Sequence, residues 1–306
     1  METVLISGAT GFIGKNLIER FLLGNKYKVI AYVLENDFNG IDFLKKNNVD
    51  YISSLDSSTI KNIDYCIHLA SYGVSYTDRD IDTMLDVNVK FTARLVKFCS
   101  EKGCKLFINT GSCFEYGSLI NDRLINEKDS LNPDDIYAAS KVSCEKFIEV
   151  YCKILNLKLL TIRPFSIYGK YEKEFRLMPL LFEAGYYKKH ISLTGGEQIR
   201  DYMDVKDVAF SIYKLIECHN KIGNINAINI CSGHPLKLKD FIEYVINSCK
   251  FDNVYFGLGE KDYRANESMF FAGDNSLLLS IIGDYDFSIS RKKIQDCFLE
   301  YLESKK

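Results

Sequence analysis

Val4-Leu5-Ile6-Ser7-Gly8-Ala9-Thr10-Gly11-Phe12-Ile13-Gly14 decides the fold of this 306-residue chain. A short apolar run, Thr3–Ser7, suits a buried strand; three glycines follow at G-x-x-G-x-x-G spacing, and Lys15–Leu23 then takes up helical period. Gly8 permits a tight turn, Gly11 lets backbone approach a pyrophosphate, and Gly14 lets helix pack on strand, with phosphate held at the helix N-terminus. Spaced glycines alone fit any tight turn. With a strand before them and a helix after, Gly8, Thr10, Gly11, Phe12, Ile13 and Gly14 read as a dinucleotide-binding turn.

The acid that binds an adenosine ribose is expected at the end of the next strand, about 20 residues on. That place falls near Val33 in Lys28–Val33, and the next acid is Glu35. An apolar residue there removes the repulsion of a 2′-phosphate, so the expectation leans to NADP over NAD, although no Arg follows to grip the phosphate.

Working outward, strand-like runs at Tyr65–Leu69, Lys105–Asn109, Leu159–Arg163 and Ile225–Cys231 alternate with helical periods at Asp82–Ser100, Tyr137–Leu155 and Val205–Cys218. This predicts an α/β chain, a Rossmann-type doubly wound parallel sheet with a smaller α/β C-terminal substrate lobe. The alternation loosens near Phe165. Residues 1–165 with a return segment 203–231 are expected to form the dinucleotide-binding domain, and 166–202 with 232–306 the substrate lobe, its tail starting near Leu236.

Thirty-nine Lys and Arg nearly balance 41 Asp and Glu, with no basic block, so nucleic acid is not an expected partner. Ten scattered cysteines without a C-x-x-C pair, beside four histidines, read as reduced buried thiols rather than metal ligands. No segment has the length of a membrane span and Met1 runs straight into a strand, so the cytoplasm is the expected compartment.

In Ile136-Tyr137-Ala138-Ala139-Ser140-Lys141, Tyr and Lys stand four apart on one helix face. The Lys141 ammonium is expected to lower the Tyr137 pKa toward that of a working general acid or base. Phe107-Ile108-Asn109-Thr110-Gly111-Ser112-Cys113-Phe114-Glu115-Tyr116-Gly117 runs from a strand into hydroxyl residues at its carboxyl end, where ligands of open α/β sheets bind. Ser112 is the hydroxyl expected beside Tyr137, and Thr110 is its alternative. Glu115 is expected to face away, because strand residues alternate faces.

Glycine turn, Ser and Tyr-x-x-x-Lys together resemble the extended short-chain dehydrogenase/reductase family, in its branch of nucleotide-sugar epimerases, dehydratases and 4-ketoreductases. Further matches are His68-Leu69-Ala70-Ser71, Asn88, Arg163-Pro164-Phe165-Ser166-Ile167-Tyr168-Gly169 and Gly195-Gly196-Glu197-Gln198-Ile199-Arg200-Asp201-Tyr202. The resemblance implies a catalytic Ser112, Tyr137 and Lys141. It implies cofactor contacts at Leu69, Ala70, Ser71, Asn88, Pro164, Tyr137 and Lys141. Substrate contacts fall on Ser112, Cys113, Ser166 and Gln198, with Arg200 and Arg264 as candidate grips on a nucleotide diphosphate. A homodimer through the helices at Asp82–Ser100 and Tyr137–Leu155 is implied as well.

The 4,6-dehydratases of this family carry Asp and Glu directly after the catalytic hydroxyl, where this chain has Cys113 and Phe114. Epimerising reductases similar to GDP-fucose synthase place a Cys two residues after the Ser and a His in the Met-Pro helix; here Cys113 comes one residue after Ser112 and Met178-Pro179-Leu180-Leu181-Phe182 has no His. Hydride transfer at C4 remains. The Gly111–Gly117 segment is most similar to CDP-abequose or CDP-paratose synthase-type 4-ketoreductases, which implies NAD(P)H-dependent reduction of a nucleotide-linked 4-keto-6-deoxy hexose. The rival is an NAD-dependent 4-epimerase resembling UDP-galactose 4-epimerase, and the remote alternative a non-catalytic NAD(P)-sensing protein.

Overall fold

The computed structural model describes residues 1–56, 59–75, 77–118, 122–252, 254–263 and 267–305. β1 (Glu2–Ser7) passes through the glycine turn into α1 (Phe12–Gly24), followed by β2 (Tyr27–Tyr32), α2 (Phe38–Lys46), β3 (Asp50–Ile52) and β4 (Tyr65–His68). α3 (Ile81–Leu85), a π-helical turn (Asp86–Phe91) and α4 (Thr92–Glu101) run on without a break. β5 (Leu106–Thr110), a 3-10 helix (Cys113–Tyr116), α5 (Ile136–Ile154) and β6 (Lys158–Pro164) come next. The remainder comprises β7 (Ser166–Tyr168), α6 (Leu177–Tyr187), β8 (Ile191–Leu193), β9 (Ile199–Asp204), α7 (Val205–Glu217), β10 (Ala227–Ile230), β11 (Pro235–Lys237), α8 (Leu238–Cys249), β12 (Phe256–Leu258), β13 (Phe270–Phe271), α9 (Ser276–Ile282) and α10 (Arg291–Glu303).

Seven strands form one parallel sheet in the order β10-β6-β5-β4-β1-β2-β3. Its central strands are buried on both faces, every residue of β4 and β5 included, so they read as unbroken apolar runs. Leu17 and Phe21 of α1, Ile212 and Leu215 of α7 and Leu278 of α9 share the core on one face. Leu95 and Val96 of α4, with Cys144 and Ile148 of α5, share the core on the other. The doubly wound Rossmann-type reading is thus the observed architecture. The strand order reverses between β1 and β4, which opens a crevice at their carboxyl ends.

Strands β7, β9, β11 and β13 form a second sheet, and β8 pairs with β12. Around them α6, α8 and α10 close a separate core of Phe182, Phe241, Val245 and Ile294. Tyr202 stacks on Phe241, ring centroids 4.0 Å apart. Residues 232–306 do not all join this lobe. α9 has the sequence Ser-Leu-Leu-Leu-Ser-Ile-Ile, and Leu278 and Ile281 are buried, with Phe287, against the core of the large sheet.

Candidate active site

The crevice is built first from backbone. Gly8 has φ +67°, and a Cβ there would lie 2.5 Å from the Ala70 nitrogen; a Cβ on Gly14 would lie 2.2 Å from the Gly8 oxygen. Only glycine lets the turn, the end of β4 and the start of α1 approach this closely. The N-cap of α1 is Gly11, which brings no side-chain acceptor, and the first turn holds no acid. That leaves the leading N–H groups of a 13-residue helix for an anion. Gly8, Gly11, Phe12, Ile13, Gly14, Leu69 and Ser71 line one groove of about 450 Å³. A dinucleotide fits this cradle by the chemistry of its donors.

Two residues of the expected cofactor set support the groove rather than line it. Thr10 donates to the Asp37 carboxylate at 2.6 Å, and Asp37 caps α2 by accepting from the Gly40 N–H at 2.9 Å. Asn88 is buried in the π turn; its amide donates to the Tyr72 oxygen and to Ser140 Oγ, both at 2.9 Å, and its oxygen accepts from the Tyr72 N–H at 2.9 Å. It thereby shapes the loop after β4. Pro164 is buried at the end of β6 and lines neither cavity. Val33 is buried in the core, facing no ligand space.

Ser112 is extended at the end of β5 and caps the 3-10 helix, its Oγ accepting from the Phe114 N–H at 3.2 Å. Tyr137 stands in the first turn of α5, started by Asp135, whose carboxylate accepts from the Ala138 N–H at 2.8 Å. The Ser71 and Ser112 hydroxyls stand near the Tyr137 hydroxyl and favour its phenolate. The expected lowering of its pKa is corrected. Burial pushes Tyr137 up to about 12 and outweighs that influence, and burial pushes the Lys141 ammonium below its ordinary value. Beside them His68 is held down to about 3 by burial and then by Lys141; its Nδ1 pairs with Ser7 Oγ at 2.5 Å and its Nε2 with Thr92 Oγ1 at 2.8 Å.

A second cavity, of about 540 Å³, is lined by Tyr137 and by Ser166, Gln198 and Arg200 of the expected substrate set. It shares Val74, Ser75, Glu172, Phe175 and Arg176 with the cofactor groove, so the two spaces meet at one wall. Arg200 is paired with Glu267 at 2.5 Å. Cys113 is a correction: it is buried with Ile125, Phe165 and Cys231 in an apolar cluster, and the next residue, Phe114, lines the cavity instead. Thr110 Oγ1 is buried without a hydrogen-bond partner, and Arg264 lies outside the described residues. Glu115 does turn away, but through the 3-10 helix rather than strand alternation. Sequence reasoning missed Arg79, whose guanidinium sits 5.7 Å from the centre of the Tyr137 ring and 3.4 Å from Asp135, and Arg176. Asp135 could have been found by its capping position; Arg79, in a loop, carries no such signal.

Residues 4–231 match the sequence profile described as the NAD dependent epimerase/dehydratase family. The chain belongs to that family. Among curated relatives it is similar to CDP-abequose synthase of Salmonella typhimurium, 26% identical over 291 residues, covering 90% of this chain and 91% of the relative. It is also similar to GDP-6-deoxy-D-talose 4-dehydrogenase of Aggregatibacter actinomycetemcomitans, 25% identical and covering 96% of each. A solved epimerase/dehydratase fold, UDP-N-acetylglucosamine 4-epimerase from Methanobrevibacter ruminantium M1 in complex with UDP-N-acetylmuramic acid, matches with a TM-score of 0.86 over 99% of both chains at 21% identity. Among the described residues of this family member no cluster of three His, Cys, Asp or Glu could hold a metal, and no helix is long and apolar enough to cross a membrane.

Proposed function

We propose that the chain reduces the C4 keto group of a nucleotide-linked 4-keto-6-deoxy hexose, a CDP-linked sugar being the first candidate, in the assembly of activated deoxysugars. The observation that carries this is the pair of places after Ser112. Cys113 is buried in apolar surroundings, Phe114 presents a ring to the cavity, and Glu115 is fully buried on Arg163. Elimination across C5 and C6 therefore lacks its acid and base at those places, while a hydroxyl donor for the C4 oxygen stands ready. The likeness to CDP-abequose synthase supports the same reading.

A nicotinamide dinucleotide held by the groove of Gly8, Gly11, Gly14 and Leu69 would supply the hydride. Tyr137 delivers the proton to the C4 oxygen, Ser112 holds that oxygen, and Ser71 stands near the phenol and favours its phenolate. Lys141, one turn along α5, is the buried amine of the site. Arg200 and Arg176 stand where a diphosphate would pass, and an Arg fork suits its oxygens. Asp37 changes the cofactor expectation. Its carboxylate is tied to Thr10 of the glycine turn, which sets negative charge against a 2′-phosphate and favours NADH. The same observation favours a second reading, C4 epimerisation with retained NAD, which uses the same three residues. The chain works as a homodimer in the cytoplasm, where its ten unpaired cysteines stay reduced.

The test is absorbance at 340 nm with NADH or NADPH and a panel of CDP-, dTDP- and GDP-linked 4-keto-6-deoxy sugars. A stoichiometric fall with one sugar is expected. No fall, with NAD carried through purification, turns the assignment to the epimerase. Tyr137→Phe retaining cofactor affinity but losing turnover distinguishes either enzyme from a non-catalytic sensor.

A further inference from the structure

We propose that Glu115 is the positioning residue that sets the Ser112 hydroxyl relative to Tyr137, by linking Ser112 through Arg163 and Glu145 to the helix that carries Tyr137 and Lys141. The proposal rests on reading those three residues as the reacting groups. It explains why a carboxylate that cannot reach substrate is buried completely beside the site.

Each joint of the link is a short charged or backbone contact. One Glu115 oxygen accepts from the Ser112 N–H at 2.9 Å, and the other accepts from Arg163 Nε at 2.6 Å. The far side of the same guanidinium donates to both oxygens of Glu145, at 2.7 and 2.8 Å. Glu145 lies four residues beyond Lys141 and eight beyond Tyr137 on α5, hence on their helix face. Arg163 comes from β6, the strand next to β5, so the link bridges the strand end that holds Ser112 and the helix that holds Tyr137.

The surroundings are shaped to hold it. A Cβ on Gly111 would lie 2.5 Å from the Glu115 oxygen that receives the Ser112 N–H, so a larger residue there displaces the carboxylate. The remaining guanidinium nitrogen donates to the Tyr116 hydroxyl at 3.2 Å, and that hydroxyl donates to Asn229 at 2.7 Å on β10. A buried ion triad is a poor way to gain stability, since apolar side chains of similar volume often do as well. What it confers is a fixed direction for each group. A reacting group moved by about 1 Å loses on the order of 100-fold in rate.

The experiment is a double-mutant cycle on the turnover that the wild-type chain shows, ketosugar reduction or C4 epimerisation, so a failed reductase assay does not decide it. Glu115→Met is expected to lower kcat by on the order of 100-fold with cofactor Kd unchanged, and Glu115→Gln, which keeps an acceptor for the Ser112 N–H but turns an amide donor toward Arg163 Nε, to recover only part of that loss. In a Ser112→Ala background Glu115→Met is expected to cost almost nothing, because no hydroxyl remains to be misplaced. The full penalty persisting in that background overturns the proposal, as does a wild-type kcat in Glu115→Met. Should Glu115→Met not fold, Glu145→Met removes both acceptors of the Arg163 guanidinium at the far end of the link and carries the same cycle, with the same outcomes decisive. A readout free of turnover is the crystal structure of either variant: the Ser112 Oγ to Tyr137 hydroxyl distance is expected to change by about 1 Å, and an unchanged distance rejects the link.

Discussion

Asp37 shows how much one side chain can change a reading. It stands four residues past Val33, where the ribose acid was sought, and comes back to the glycine turn only because it caps α2 and binds Thr10. Asp37→Ser is therefore expected to raise kcat/KM for the NADP(H) form relative to NAD(H) by about tenfold, near 1.4 kcal/mol, as measured with both cofactors at one ionic strength. Glu172 is the second residue with an outsized effect. Burial pushes its carboxyl up to about 7, with Arg176, 3.8 Å away, only partly offsetting. Its folded pKa lies above the ordinary 4.5, so its contribution to stability is full below about 4.5 and lost as pH rises through about 7. Above that, a new negative charge stands on the wall between the cavities. The KM for an anionic sugar nucleotide is expected to climb between about pH 6 and 8, and Glu172→Gln to remove the climb while melting higher than wild type at about pH 8 but not at about pH 5.

At the scale of elements, the π turn in the α3–α4 rod is placed by Asn88. The extra residue widens the backbone there, and one amide serves both Tyr72 and Ser140. Asn88→Leu is expected to cost about 2–4 kcal/mol in urea unfolding, because it strands buried donors and acceptors, and to raise the cofactor KM by loosening the loop after β4. The rod was legible as one helix from its apolar spacing, but a single inserted residue leaves that spacing nearly intact, so the π turn was not. β4, β5 and α5 were legible because complete burial makes unbroken apolar runs or a clear helical period. α2 and β3 were not: β3 is three residues on the sheet edge, two of them exposed. β8, β12 and β13 are likewise too short to show a period. Of the site, Ser112, Tyr137 and the glycine turn follow from local spacing, whereas Asp37, Arg79 and Arg176 reach it through loops whose course no local pattern encodes.

At the scale of the molecule, α5 packs beside the α3–α4 rod, and apolar side chains are exposed on the outer side of this pair among charged ones. Ile81 and Leu85 on α3, with Phe147, Val150 and Ile154 on α5, are all exposed. A second copy presenting the same helices would cover them by two-fold symmetry. Light scattering is expected to give about 70 kDa, twice the chain mass of 35.1 kDa, and Phe147→Lys with Val150→Lys to give the single-chain mass. The wall shared by the two cavities carries its own consequence. Val74, Ser75, Glu172, Phe175 and Arg176 touch both spaces, so occupancy of one is expected to bear on the shape of the other. By thermodynamic linkage the factor by which a sugar nucleotide tightens dinucleotide binding equals the factor by which the dinucleotide tightens the sugar nucleotide. Binding assays with dead-end analogues would then show each ligand tightening the other rather than independent occupancy, and the size of that coupling would measure how far this one wall moves.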